Sequence, residues 1–98
     1  MDKLFQSVQI GDTDAFNRYV EKKNPDELNT PDISGTFLIH YAVDGGFLDI
    51  CQTLVEKKAS INVANRQDES PLHIAAKKQY TDICAFLIEK GAILDSKV

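Results

Sequence analysis

Apolar positions in this chain fall into short helical stripes. Ile83, Phe86 and Leu87 stand at i, i+3 and i+4, the spacing that puts three side chains on one face of a helix. Thr81-Asp82 precede them as candidate caps, and Gly91 follows as the stop. Upstream, Leu72-His73-Ile74-Ala75-Ala76 makes a shorter apolar run. Ser70-Pro71 before it has the hydroxyl-then-proline order of a helix N-cap and first helical position. The second-helix pattern recurs as Ile50, Leu54 and Val55 before Lys58, and as Ala15, Phe16, Tyr19 and Val20 before Lys23. Polar stretches such as Ser60-Ile61-Asn62-Val63-Ala64-Asn65 read as extended loops ending in turns. The prediction is an all-α chain of short paired helices.

The recurrence has a period. A shift of 33 residues places His40 on His73, Ala42 on Ala75, Asp49-Ile50-Cys51 on Asp82-Ile83-Cys84, Leu54 on Leu87, and Ala59 on Ala92. A weaker copy lies upstream at an offset of 35, with Gly11 on Gly46, Asp14 on Asp49 and Val20-Glu21-Lys22-Lys23 on Val55-Glu56-Lys57-Lys58. The two extra residues fit the turn-rich stretch Asn24-Pro25-Asp26-Glu27, where insertion costs little. A two-helix unit of this size cannot hide its apolar face alone, so three copies must stack and share a core. The expected architecture is a short solenoid forming one domain, with units of about 1–31, 32–64 and 65–98 joined by extended turn loops.

The third unit, from Asn65 through Ser70-Pro71-Leu72-His73-Ile74-Ala75 to Lys90-Gly91-Ala92, resembles the ankyrin repeat. The second matches it at Asp32, Gly35, His40 and Ala42 but has Phe37-Leu38 where the family has Thr-Pro, so its first helix lacks the usual capping hydroxyl. Lys23 and Lys58 stand at the turn position of Gly91, and Asp68 at that of Gly35; left-handed backbone there penalises Lys most. The resemblance implies a non-catalytic module that binds a partner protein through its concave face. The first forty residues and the second unit also look like the myotrophin-like small ankyrin proteins, through Phe5, Gly11-Asp12, Tyr19-Val20 and His40-Tyr41-Ala42. That similarity implies, as an alternative, a regulator of actin capping protein.

Composition narrows the function further. A net charge of −4 disfavours a nucleic-acid partner, and the Lys-Lys pairs at 22, 57 and 77 lack interleaved aromatics. No apolar run approaches the ~18 residues of a membrane span. The N-terminus has no signal-like stretch, so a cytoplasmic protein is expected, with the nucleus also compatible.

The repeat decides most of the candidate chemistry. His40 and His73 occupy equivalent positions at a helix start, where the resembled family uses imidazole to tie loops together; zinc would need four ligands at other spacings. Cys51 and Cys84 fall on successive second helices, whose axes lie ~8–10 Å apart, too far for a disulfide, and read as buried apolar thiols. No glycine-rich phosphate loop is present, and a one-layer solenoid offers no pocket where a nucleophile and base converge. We therefore expect no catalytic residue, cofactor or metal. By the resemblance, the partner-binding strip comprises Ile33, Ser34, Thr36, Asp44 and Gly45 in the second unit and Arg66, Gln67, Glu69, Lys77 and Lys78 in the third, with Gln9 and Ile10 at its edge. Ile33, Phe37, Phe47 and Tyr80 are candidate exposed anchors.

Lys3, Gln6, Asp12, Asp14, Asn17 and Arg18 give the first unit a polar outer face. The third unit is followed only by Asp95-Ser96-Lys97-Val98, leaving an edge that Lys77, Lys78 and Gln79 could blunt. The expectation is a monomeric adaptor or stoichiometric inhibitor; the structural alternative is a subunit that self-associates through that edge.

Overall fold

In the computed structural model, which describes residues 3–92, all regular structure is helical. Seven helices follow in order: α1 (Lys3–Ile10), α2 (Thr13–Val20), α3 (Pro25–Leu28), α4 (Leu38–Asp44), α5 (Leu48–Glu56), α6 (Pro71–Lys78) and α7 (Thr81–Glu89). Helices α1/α2, α4/α5 and α6/α7 are the three packed pairs that the period predicts. The inserted stretch is more ordered than a turn: Asn24 Oδ1 accepts from the Glu27 amide at 2.9 Å and Pro25 opens a single helical turn, α3.

The first helices α1, α4 and α6 pack side by side, and α2 packs on α5. Between α5 and α7, by contrast, a groove of about 470 Å³ opens above Val55 and Phe86. One apolar core runs through all three units, from Leu4, Val8 and Phe16 through Leu38, Ile39, Ile50 and Leu54 to Leu72, Ile83 and Leu87. Lys3, Gln6, Asp12, Asp14, Asn17 and Arg18 are all exposed, and Tyr19, expected in the core stripe, lies outward with them. Asp12 also caps α2, its carboxylate accepting from the Ala15 amide at 3.1 Å.

Neighbouring units are tied by hydrogen bonds that repeat with the period. Asn29 Nδ2 donates to the Lys58 carbonyl at 3.4 Å, and 33 residues on Asn62 Nδ2 donates to the Gly91 carbonyl at 3.3 Å. Asn29 Oδ1 also accepts from the Ser60 amide. Aromatics repeat likewise. The Phe47 ring covers Gly11 so closely that a Cβ there would lie 2.5 Å from Cζ, and Tyr80 covers Gly46 of the unit before it. The third copy of this left-handed position is Gln79, at φ 63°.

Three expectations change. Lys58 and Asp68 do take left-handed backbone, but Lys23 does not, because α3 follows directly and redirects the chain. Thr81 and Asp82 do not cap α7: Tyr80 is the N-cap residue, and Asp82 accepts only from the adjacent Ile83 amide. Cys51 is fully buried, whereas Cys84, in the last unit, is only partly so. Burial pushes the Cys51 thiol up to about 12, which suppresses its reactivity. The segment Asp95-Val98 lies outside the described residues. Among the described residues no helix is long and apolar enough to cross a membrane, and no group of His, Cys, Asp and Glu could hold a metal ion.

Candidate functional site

The turn that leads into each first helix is built around one side chain. In the second unit, Asp32 Oδ1 accepts from the Ser34 and Thr36 amides, both at 3.0 Å, and from the Ser34 hydroxyl, while Oδ2 takes the Tyr41 hydroxyl. Burial works against this carboxylate, yet the hydrogen bonds from Ser34, Tyr41 and Thr36 prevail and hold it at about 2. Asn65 repeats the design 33 residues later, accepting from the Gln67 amide at 3.0 Å and the Glu69 amide at 2.9 Å. The neighbouring tips are then joined: the Arg66 guanidinium donates to the Ile33 carbonyl at 2.8 Å. Ile33, whose carbonyl takes that guanidinium, is 97% exposed.

Below the tips lies a groove of about 330 Å³ between α4 and α6. Thr36, Asp44, Glu69, Lys77 and Lys78 line it, so five of the ten sequence-predicted residues meet there. Lys78 spans the units to reach Asp44 at 3.3 Å, and Lys77 pairs with Glu69. Lys77 and Asn65 together draw the Glu69 carboxyl below its ordinary range. Both lysines thus turn toward the groove rather than covering the C-terminal edge. Ile33, Ser34, Arg66 and Gln67 form the adjoining rim at the tips. Gly45 sits at the end of α4 beneath the Phe47 ring, outside the groove lining.

Sequence reasoning did not place His40, Tyr41, Asn65 and Ile74 in the lining. The Asp32/Asn65 equivalence at the 33-residue period was the signal available for Asn65. Phe37, Phe47 and Tyr80 are not exposed anchors: all three are half-buried against the core. Both histidines act on loops. His40 Nδ1 accepts from the Phe37 amide, and His73 Nδ1 accepts from the Ser70 amide, each at 3.1 Å.

Against known proteins, the family profile described as Ankyrin repeats (3 copies) matches residues 4–98. The chain belongs to the ankyrin-repeat family. Ankyrin repeats are protein–protein interaction modules, and the family is generally non-catalytic. A curated relative is the transient receptor potential cation channel subfamily A member 1 homolog of Caenorhabditis elegans, 36% identical over 76 residues. That match takes in 76% of this chain but only 6% of the much longer channel protein. Among solved structures, one chain from the complex of the Bd0816 predatory endopeptidase of Bdellovibrio bacteriovorus with immunity protein Bd3460 superposes with a TM-score of 0.87 at 30% identity. The superposition covers 97% of this ankyrin chain and 49% of that one.

Proposed function

We propose that this ankyrin chain works by binding, as a monomeric adaptor or stoichiometric inhibitor that grips one partner protein with its concave face. The observation that carries this reading is the groove between α4 and α6 with its rim of hydrogen-bonded turn tips, where an exposed Ile33 stands beside Arg66. A large apolar side chain that stands clear of the surface gains full burial on docking, which is what an interface anchor requires. The groove's ion pairs are solvent-exposed and hence weak, so Asp44, Lys77 and Lys78 can exchange their present partners for charges on an incoming surface. The similarity to a chain of an endopeptidase–immunity protein complex favours the inhibitor form of the reading. Two free thiols fit a reducing compartment, the cytoplasm.

A pull-down compares the wild type with a variant carrying Ile33→Ala, Asp44→Ala, Arg66→Ala and Lys78→Ala, alongside a convex-face control carrying Gln52→Ala, Glu56→Ala and Glu89→Ala. The groove variant should lose a discrete protein that the control retains. The opposite pattern would move the binding surface to the groove between α5 and α7.

A further inference from the structure

His40 sits where the candidate groove, α4 and the leading loop of the third unit meet, and it is 1% exposed. All of its polar capacity is used. Nδ1 accepts from the Phe37 amide, which places the proton of the neutral ring on Nε2, and that N–H reaches the carbonyls of Glu69 at 2.9 Å and Val63 at 3.1 Å. Phe37 has no side-chain acceptor to offer, so one imidazole both steadies the start of α4 and ties it to the next unit.

We infer that His40 is an acid-sensitive latch: protonation at Nδ1 breaks its bond to the Phe37 amide and frees the start of α4, loosening that wall of the candidate groove. The consequence for binding rests on the groove reading; the latch itself rests on hydrogen-bond geometry. A second proton can go only to Nδ1, where it faces an N–H instead of an acceptor, and the resulting cation sits in a site closed to water. Neighbouring charges offer little relief. From the loop, Glu69 is the carboxylate whose field reaches the ring, and it is already held by Asn65 and by Lys77 of α6. The Asp32 carboxylate of the turn is taken by Ser34, Thr36 and Tyr41, and Asp44 of α4 pairs with Lys78 of α6. From α1, Phe5 rather than a charged group meets Tyr41 of α4.

Burial accordingly holds His40 below the ordinary 6.5, although the two carbonyls favour its cation. In the opened state the ring returns to that ordinary value. Above 6.5 neither state binds a proton and the latch is indifferent to pH; below it the open state takes up the proton first, so falling pH favours opening until the closed-state value is passed. At pH 5 the shift toward opening reaches at most about thirtyfold.

Amide hydrogen exchange on the full chain at pH 7 and pH 5, corrected for intrinsic rates, reads the latch without a partner. Protection of α4 relative to α1 and α2 should fall several-fold in the wild type. In His40→Gln, which cannot titrate, the ratio should not change between the two pH values. An equal pH response in both proteins overturns the latch. Should His40→Gln not fold, ¹⁵N titration of the wild-type imidazoles decides: His40 titrating below 6.5 together with the loss of protection supports the latch, and titration at or above 6.5 overturns it. A partner found to bind elsewhere leaves this result untouched, so the latch and the groove reading fail separately.

Discussion

Gln79 shows what the repeat demands of single residues. It occupies the left-handed position that glycine fills in the first two units, with φ of 63° against 76° at Gly11 and 75° at Gly46. At Gly11 there is a second reason for glycine, because a Cβ would lie 2.5 Å from the Phe47 ring; at Gly46 it would press on Tyr80 at 3.2 Å, a tighter contact than side chains usually make. Gln79 is exposed, so its side chain has room but its backbone is strained. Gln79→Gly should therefore stabilise the protein by about 0.5–1 kcal/mol, seen as a higher denaturation midpoint at unchanged slope. The sequence identified this strain at Lys58 and Asp68 through their alignment with Gly91 and Gly35. The same shift places Gln79 on Gly46, so its strain too is legible in the sequence, whereas Lys23 escapes it because α3 intervenes.

Among the elements, the two complete first helices differ at their starts. At α6, Ser70 Oγ accepts from the His73 amide at 3.2 Å while His73 Nδ1 accepts from the Ser70 amide, so the two residues close a reciprocal box. At α4 only the histidine half exists, because Phe37 has no hydroxyl. Ser70→Ala should cost about 1 kcal/mol in chemical denaturation, and its effect should centre on α6 and α7 in hydrogen exchange. Helix pairing, the Ser-Pro start of α6 and the missing hydroxyl at Phe37 were legible because each is local chemistry repeated at a fixed period. The ties through Asn29 and Asn62 were not, since each joins a side chain to backbone groups 29 to 31 residues away, and position along the chain does not show which group a loop will present; for His40 the resemblance implied a loop tie but not the carbonyls it reaches.

For the whole molecule, the decisive property is that the turn tips and the groove between α4 and α6 lie together. Close packing of α1, α4 and α6 gathers the turn tips and the groove on one side, while α5 and α7 splay on the other. The repeat resemblance marked the strip, and five of its residues do converge, but it gave no means of telling a rim residue such as Ile33 from packed aromatics such as Phe47 and Tyr80. That distinction depends on what the neighbouring unit covers. Site-specific photocrosslinking tests the central claim most directly, with a benzophenone side chain placed at Ile33 in one protein and at Gln52, on the convex side, in another. A concave-face binding module crosslinks its partner from position 33 and not from 52. Crosslinking of the partner from 52 alone would contradict the account.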